Sequence, residues 1–458
     1  MHHVVVMTAT GSLGLVAIFI VDALNLFYIS RLGQRELAAA IGFAGTLQFF
    51  VISVSIGFTI ATSALVSRSL GREARAEAAG YGGAALIFMV ITSSLISAAV
   101  WPFLDPLVGL LGATGETRII ATGFLQIVIP STPVMALGMA TTGILRGTGD
   151  ARRAMYVTLA GGFAAAILDP ILIFGFDLGV TGAAISTVLS RVVLVAIGLH
   201  GAIVVHNLAR MPGIEELVKA VRPFFVIGVP AVLTQLATPV GNAYVTAEIA
   251  RFGDSAVAGW AVIGRLVPVA FGVIFALSGA VGPIMGQNYG AQRFDRVSQT
   301  LRDSLKFTLF YVLGAWALLA LGHNGIATLF DADETARELI AFFCLFAAGS
   351  FLFNGALFVA NAAFNNLGYA TYATMMNWGR STLGVIPFVW VGSTYYGAKG
   401  VLAGWGLGAV AFGIAAMALA FRTTRAIEQR GAAADAEPLP APPAAQSPFT
   451  SGKGSTIG

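Results

Sequence analysis

The sequence predicts an all-α integral membrane protein with about twelve transmembrane helices, arranged as two six-helix lobes around a central cavity. Three observations predict this fold: an apolar composition, a series of long apolar segments and an internal repeat. Of the 458 residues, 57% are hydrophobic and only 10% are charged, whereas soluble domains carry about 25% charged residues. This composition excludes an ordinary soluble domain.

Apolar segments of about 20 or more residues recur along most of the chain, and each is long enough to cross a hydrocarbon core of about 30 Å. They lie near residues 4–28, 38–66, 80–104, 119–145, 153–176, 180–206, 223–250, 256–284, 303–323, 337–364, 371–395 and 398–421. The first lacks the basic start and the cleavage site of a secretory signal, so we interpret it as a membrane span. Little sequence precedes it, and we expect that a short cytoplasmic leader is missing.

Most of the 26 Lys and Arg residues fall in alternate loops on one side of the predicted membrane, such as the loops that contain Arg72, Arg152 and Arg293. By the positive-inside rule this side is cytoplasmic, and both termini lie on it. We therefore expect a multi-pass protein of a bacterial-type cytoplasmic (inner) membrane. Scattered loop charges do not form a nucleic-acid surface. The expected partners are small molecules and the lipid bilayer, and a monomer is expected.

The second half of the chain repeats the first. "SLGREARAEA" (69–78) aligns with "NYGAQRFDRV" (288–297), and four glycine pairs keep a nearly constant offset. The pairs are Gly33 with Gly253, Gly71 with Gly290, Gly149 with Gly368, and Gly179 with Gly397. An even number of crossings gives both halves the same orientation, so a pseudo-twofold axis should run along the membrane normal.

The repeat and the composition divide the chain into four parts. We predict an N-terminal six-helix lobe (1–205), a cytoplasmic linker (206–222), a C-terminal six-helix lobe (223–425) and a cytoplasmic tail (426–458). The linker is polar and amphipathic enough to lie at the membrane interface. The tail is rich in Ala, Pro and Ser, so we expect it to be disordered.

A charged group at bilayer depth costs at least about 2.5–3.5 kcal/mol and needs a partner or a task. Asp169 is such a group, in the apolar stretch "AAILDPILIFG" (165–175), where Pro170 follows it. In one interpretation its carboxylate caps backbone amides that the proline bend frees. In the other, the bend opens the helix beside a carboxyl that binds a proton or a cation.

Asp22 is the second acid well inside a predicted span. It could be neutralised by Arg191, or it could form a pH-sensitive pair with Asn25, one helical turn away. Three arginines also fall inside predicted spans, and we interpret them as structural counter-charges rather than substrate ligands. They are Arg191, Arg265 and Arg380.

Several kinds of site are not expected. The five histidines lie at span ends without metal-ligand spacing, so the sequence predicts no metal site. "GILRGTGDARR" (143–153) lacks the Gly-Lys-Ser/Thr ending of a phosphate-binding loop. No combination of Ser, His and Asp indicates a hydrolase. We expect neither an enzyme nor a cofactor, which leaves a gradient of H⁺ or Na⁺ as the energy source.

Over residues 8–425 the chain resembles the multidrug and toxic compound extrusion (MATE) family. Four stretches carry the resemblance: "NLFYISRLGQRELAA", "GILRGTGDARR", "LDPILIFGFDLGVTGAAIST" and "GPIMGQNYGAQ". It implies two six-helix lobes in a V, and export of organic, often cationic, amphipathic compounds in exchange for protons or sodium. The chain looks more like the DinF-like branch, because Thr238 stands near the place of the other bacterial branch's glutamate. This resemblance puts the cation site in the N-terminal lobe.

The resemblance also assigns site residues. The family's fifth-span aspartate matches Asp169 and its sixth-span threonine matches Thr187, whereas its first-span aspartate falls on Asn25, one turn after Asp22. The asparagine usual four residues before the fifth-span aspartate is Ala165 here. We therefore predict a coupling site that consists of Asp169, Asp22, Asn25 and Thr187.

The leading hypothesis is an antiporter in which protonation of Asp169 changes helix bending and releases substrate outward. Tyr28, Phe43, Met135 and Met139 would hold flat apolar cations through ring stacking and cation–π attraction, although helix packing or lipid contact explains each one as well. A lipid-linked saccharide flippase of the same superfamily is the second hypothesis and would favour a more basic cavity. A non-transporting membrane scaffold subunit is the third.

Overall fold

The computed structural model describes residues 4–12, 14, 28, 35–330 and 332–436, and all regular structure in these ranges is helical. Ten described segments are long and apolar enough to cross a membrane. The longest, Ala370–Arg430, contains a kink at Gly397 and therefore holds two predicted spans. Residues 4–12 are helical and belong to the predicted first span. The predicted all-α membrane fold is confirmed.

The N-terminal half consists of seven helices between residues 35 and 199. They are α1 (Arg35–Gly71), α2 (Arg75–Val100), α3 (Leu104–Leu110), α4 (Gly115–Val128), α5 (Thr132–Gly147), α6 (Ala151–Pro170) and α7 (Gly179–Leu199). Short 3₁₀ turns join α2 to α3 and α4 to α5, so each of these pairs forms one bent span. A π turn follows α6 and another follows α7.

The C-terminal half also consists of seven helices. They are α8 (Ile214–Ala250), α9 (Asp254–Gly290), α10 (Phe294–Leu329), α11 (Glu334–Leu345), α12 (Phe351–Leu367), α13 (Ala370–Ser381) and α14 (Ile386–Ala436). Residues 214–222, which the sequence places in the linker, form the first turns of α8. Within the predicted tail, α14 continues to Ala436, and residues 437–458 lie outside the described part of the chain.

The repeat is visible in the backbone. Gly149 and Gly368 follow α5 and α12 with φ of 85° and 94°. Gly179 and Gly397 have φ of 53° and 63°. Positive φ is costly for residues with a Cβ, so the glycine pairs mark turns that both halves need. Gly253 also has a positive φ of 96°, and its predicted counterpart lies outside the described residues.

Prolines set the bend between α4 and α5. Pro130 and Pro133 have no backbone N–H, so the carbonyls four residues before them lose their helical donors. Side chains of α2 replace these donors: the Trp101 Nε1–H donates to the Gln126 oxygen at 3.2 Å and the Ser97 hydroxyl donates to the Ile129 oxygen at 2.7 Å. The bend is therefore held by hydrogen bonds that do not depend on water, as a lipid environment requires.

The two halves meet through an aromatic cluster. Phe58 of α1 and Phe88 of α2 pack against Phe224 and Phe225 at the start of α8, with ring centroids 5.2–5.7 Å apart. Gly57 lies so close to α8 that a Cβ there would come within 2.5 Å of the Val232 nitrogen. These contacts fix the first part of α8 to the N-terminal half.

Candidate functional site

Asp169 lies at the end of α6, immediately before Pro170 and the π turn Ile171–Gly175. A π turn widens the helix by one residue and commonly occurs at functional sites. Helix α7 then packs closely against this turn, because a Cβ on Gly182 would come within 2.6 Å of the Leu172 oxygen. The local sequence thus opens the helix directly after an acidic side chain and brings the next span against the opening.

The Asp169 carboxyl is buried, with 1% of the residue exposed. Among the described residues, neither of its oxygens has a hydrogen-bond partner. The neighbouring polar group is the Ser186 hydroxyl, one helical turn after Gly182, which interacts with the carboxyl but does not meet hydrogen-bond geometry. A buried carboxylate without a partner is costly, and a protonated carboxyl or one beside a bound cation costs much less.

This arrangement contradicts the capping interpretation of Asp169. A cap would require backbone N–H groups to donate to the carboxylate, and no described N–H group does so. The π turn satisfies its own backbone instead, since the Phe176 N–H donates to the Ile171 oxygen at 3.0 Å and the Leu178 N–H to the Leu172 oxygen at 3.2 Å. The bend therefore does not need the Asp169 side chain for its stability.

Of the other three predicted coupling residues, the structure describes Thr187 and does not describe the remaining two. Asp22 and Asn25 lie outside the described residues. The Thr187 hydroxyl donates to the Ala183 oxygen of its own helix at 2.9 Å. Ser186 is the residue of α7 that stands beside Asp169. Sequence reasoning did not identify Ser186. The face that α7 turns toward Asp169 depends on the π turn, and no sequence motif predicted that turn.

The four predicted substrate residues lie in different environments. Tyr28 contacts Phe174 of the π turn edge to face, with ring centroids 6.3 Å apart. Phe43 packs against the same apolar cluster of the N-terminal half as Tyr28. Met139 packs against the aromatic cluster between the halves, and Met135 is 9% exposed. Tyr28 thus contacts the π turn that follows the Asp-Pro pair, although it is the member of this set farthest from Asp169 in sequence.

Two of the three span arginines are buried and are held by neutral groups. Arg191 donates to the Val128 oxygen at 2.9 Å and to the Ser131 hydroxyl at 2.6 Å. Arg380 donates to the Thr238 hydroxyl at 3.0 Å, and its Nε has no partner among the described residues. Within the described ranges neither arginine pairs with a carboxylate. Carbonyls and hydroxyls near helix bends therefore hold these two arginines in the described part of the chain, and Asp22, the predicted partner of Arg191, lies outside it. Arg265 is exposed.

A cavity of about 390 Å³ opens beside α1, α4 and α7, near the start of α7. Its lining is mainly apolar, with Leu37, Phe124 and Val180 among its residues. No group of three or more His, Cys, Asp or Glu residues with metal-site geometry occurs in the ranges that the structure describes.

Comparison with known proteins identifies the family. A family model, MatE, matches residues 12–171 and 230–391 and so covers both repeats. The FAD transporter of Shewanella oneidensis is 30% identical, over 91% of this chain and 93% of that protein. The multidrug export protein MepA of Staphylococcus aureus is 27% identical, over 84% of this chain and 85% of that protein.

Solved structures show the same fold. A mutant of the Vibrio cholerae MATE transporter VcmN matches with a TM-score of 0.87 and 25% identity, over 93% of this chain and 97% of that one. A transporter of the MOP superfamily from Pyrococcus furiosus also has a TM-score of 0.87, with 21% identity over 93% of this chain and 96% of that one. The family model, the relatives and the shared fold agree: the chain belongs to the MATE family of membrane transporters.

Proposed function

We propose that this protein is a secondary active antiporter that exports organic compounds in exchange for protons, with Asp169 as the coupling carboxyl. The observation that carries the proposal is the isolation of this carboxyl: it is buried, it has no hydrogen-bond partner among the described residues, and it adjoins a π turn. A carboxyl in this position, with the Ser186 hydroxyl beside it, can take up a proton without breaking a well-formed hydrogen bond. Sodium is the alternative coupling ion.

Coupling would act through the bend. When Asp169 is protonated, the neutral carboxyl can remain in its apolar site beside Ser186. When it is ionised, the cost of burial favours movement of α6 toward water or toward a cation. Because α7 contacts the π turn at Gly182, movement of α6 would also move α7 at the wall of the proposed central cavity. This movement would favour opening of the cavity to one side of the membrane over the other.

The exported compound is proposed to be an organic, amphipathic cation. Support comes from the MepA relative, which is named as a multidrug export protein, and from aromatic side chains near the bend, such as Tyr28 and Phe174. The other relative is named for FAD, so the cargo test should include both a cationic dye and FAD. We further propose a monomer in the inner membrane, and the loop charges support a cytoplasmic position for both termini.

The test is efflux from proteoliposomes under an imposed proton gradient or an imposed sodium gradient. We expect the proton gradient alone to drive efflux in the wild type and the Asp169→Asn variant to lose it. Asp105→Asn is the matched control, because the same change is made at a carboxylate that is paired with Arg118 near the surface. Efflux driven by sodium alone would show that sodium, and not the proton, is the coupling ion. Normal export by Asp169→Asn would show that Asp169 is not the coupling carboxyl.

A lipid-linked saccharide flippase is the second candidate, and one observation favours it. Arg191 and Arg380 are buried without carboxylate partners among the described residues, and uncompensated positive charge suits a lipid phosphate. Translocation of a fluorescent polyprenyl-phosphate saccharide in liposomes, independent of any ion gradient, would support this candidate over the antiporter.

A further inference from the structure

The ends of α1 and α9 cross in direct backbone contact. A Cβ on Gly71 would lie 2.0 Å from the Gln287 carbonyl oxygen, and a Cβ on Gly290 would lie 2.1 Å from the Arg68 carbonyl oxygen. Only residues without a side chain allow two helices to approach this closely. The crossing lies on the arginine-rich side, which the loop charges predict to be cytoplasmic.

Two side chains extend across this crossing, in opposite directions. Arg68 of α1 donates from Nε to the Asn366 oxygen and from Nη2 to the Asn365 oxygen, both at 2.8 Å. Gln287 of α9 donates from Nε2 to the Gly147 oxygen at 2.8 Å. The acceptors are carbonyls at the C-terminal ends of α12 and α5, where a helix leaves carbonyls without intrahelical donors.

These contacts are related by the internal repeat. Arg68 corresponds to Gln287, Gly147 to Asn366, and Gly71 to Gly290, all with the same offset in the sequence. Each half therefore extends a side chain from the end of its second span and caps the end of the fourth span in the other half. A reciprocal arrangement of this kind is an isologous interface formed within one chain.

We propose that Arg68 and Gln287 form a two-part latch that holds the arginine-rich ends of the lobes together. Breaking the latch would open the predicted central cavity between the lobes on that side. The inference rests on the proposed antiport cycle, which requires both openings. Capping of helix ends by donors from the opposite lobe makes the closed state specific, because the two lobes cannot separate on this side while these contacts remain.

The two parts of the latch differ in strength. The positively charged guanidinium of Arg68 donates two hydrogen bonds, and it lies at the negative end of the α12 dipole. The ring of Tyr289 also lies 5.8 Å from its guanidinium carbon, within range of cation–π attraction. Gln287 makes one neutral hydrogen bond. Arg68 is therefore the stronger part, although each half supplies one.

The test measures the separation of the lobes directly. Ala76→Cys and Ala291→Cys place a donor and an acceptor fluorophore on exposed residues of the two halves, and the native Cys344 is fully buried. We expect one dominant short distance in the wild type. Gln287→Ala should raise the ratio of separated to closed molecules about 5-fold, and Arg68→Ala by more than about 10-fold. Arg68→Lys, which retains the charge, should fall between them.

Two matched controls remove an arginine and an amide that do not cross between the halves. Arg153 pairs with Asp150 in its own half, and the Asn288 amide donates to the Ile284 oxygen of its own helix. We expect Arg153→Ala and Asn288→Ala to leave the ratio unchanged. The latch is refuted if Arg68→Ala and Gln287→Ala give the wild-type distance, or if the controls change it equally.

The test of the latch remains interpretable if Arg68→Ala does not fold and if the Asp169 proposal fails. If Arg68→Ala does not fold, Gln287→Ala still tests the latch, since it loses a single neutral hydrogen bond. The readout is a distance and not efflux, so failure of the Asp169 proposal leaves the latch result interpretable. Conversely, unchanged distances would overturn the latch and leave the coupling proposal standing.

Discussion

His206 Nε2 lies 2.9 Å from Asp150 Oδ2, and this contact joins the segment between the two halves to the start of α6. Two neighbouring contacts and one buried side chain hold the same segment. Arg75 donates to the His206 carbonyl oxygen at 2.5 Å, Leu208 is fully buried, and a Cβ on Gly82 would lie within 1.9 Å of the Leu208 oxygen. The non-helical residues 206–213 are therefore fixed to the N-terminal half.

Asp150→Asn tests how far the stability of this region depends on a carboxylate. Burial alone raises the pKa of the Asp150 carboxyl, but hydrogen bonds from Arg153 and His206 outweigh it and lower the pKa below the ordinary 3.8. Because the folded-state pKa is depressed, the contribution to stability is present above pH 3.8 and is lost as pH falls below it.

We expect the wild-type Tm in detergent to fall as the pH decreases through this acid range. The Asp150→Asn variant should have a lower Tm at neutral pH, and its Tm should depend less on pH in the acid range. Asparagine caps a helix about as well as aspartate, so the change isolates the charge. Asp177→Asn is the control, since Asp177 is exposed and its φ of 54° suits asparagine. Identical pH profiles for Asp150→Asn and the wild type would contradict this account.

Gly182→Ala should separate α7 from the π turn. The added Cβ would meet the Leu172 oxygen at 2.6 Å and the Leu172 carbonyl carbon at 2.7 Å, and backbone atoms cannot move aside as a flexible side chain can. We expect a loss of about 1–3 kcal/mol in stability together with loss of coupled efflux. Gly175→Ala is the matched control, because a Cβ there would meet no atom within 4 Å. Equal effects of the two changes on Tm and efflux would show that the contact at Gly182 is not the cause.

Ser186→Ala and Thr187→Ala distinguish the residue beside Asp169 from the residue that family resemblance suggests. Removal of the Ser186 hydroxyl takes away the polar neighbour of the Asp169 carboxylate, so we expect the pH of half-maximal efflux to rise. Thr187 already donates to Ala183 of its own helix, and its replacement should change efflux less than about two-fold, consistent with a weak local hydrogen bond. A larger shift for Thr187→Ala than for Ser186→Ala would reverse the assignment. The measurement is the pH profile of initial efflux rates.

The sequence predicted the number of spans and the repeat well, because both depend on long-range averages of hydropathy and on glycines that the backbone requires. Gly149 with Gly368, and Gly179 with Gly397, all adopt positive φ, as expected of glycines kept at equivalent turns. The position of Asp169 at a broken helix also followed from the Asp-Pro pair.

Side-chain partners were harder to predict. The sequence predicted that Arg191 and Arg380 are counter-charges, with Asp22 as a possible partner of Arg191, and Asp22 lies outside the described residues. In the described part of the chain, a carbonyl and a hydroxyl hold Arg191, and the Thr238 hydroxyl holds Arg380. Hydropathy shows that a charge is buried but not which backbone carbonyls a bend leaves free. The same limit applies to Arg68, whose acceptors are almost 300 residues away in the sequence.

Gly71→Ala and Gly290→Ala test the crossing of α1 and α9. Each Cβ would come within about 2.1 Å of a carbonyl oxygen of the other helix, so the backbones must move apart and the hydrogen bonds of Arg68 and Gln287 must lengthen. Since the two glycines occupy equivalent positions in the repeat, we expect similar losses of stability for the two variants, on the order of 2 kcal/mol. The separation measured between fluorophores at Ala76 and Ala291 should increase in both. Gly42→Ala, where a Cβ would meet nothing within 4 Å, should change neither quantity. A strong effect of one glycine with none for the other would show that the crossing is not symmetric in energy, even though it is symmetric in geometry.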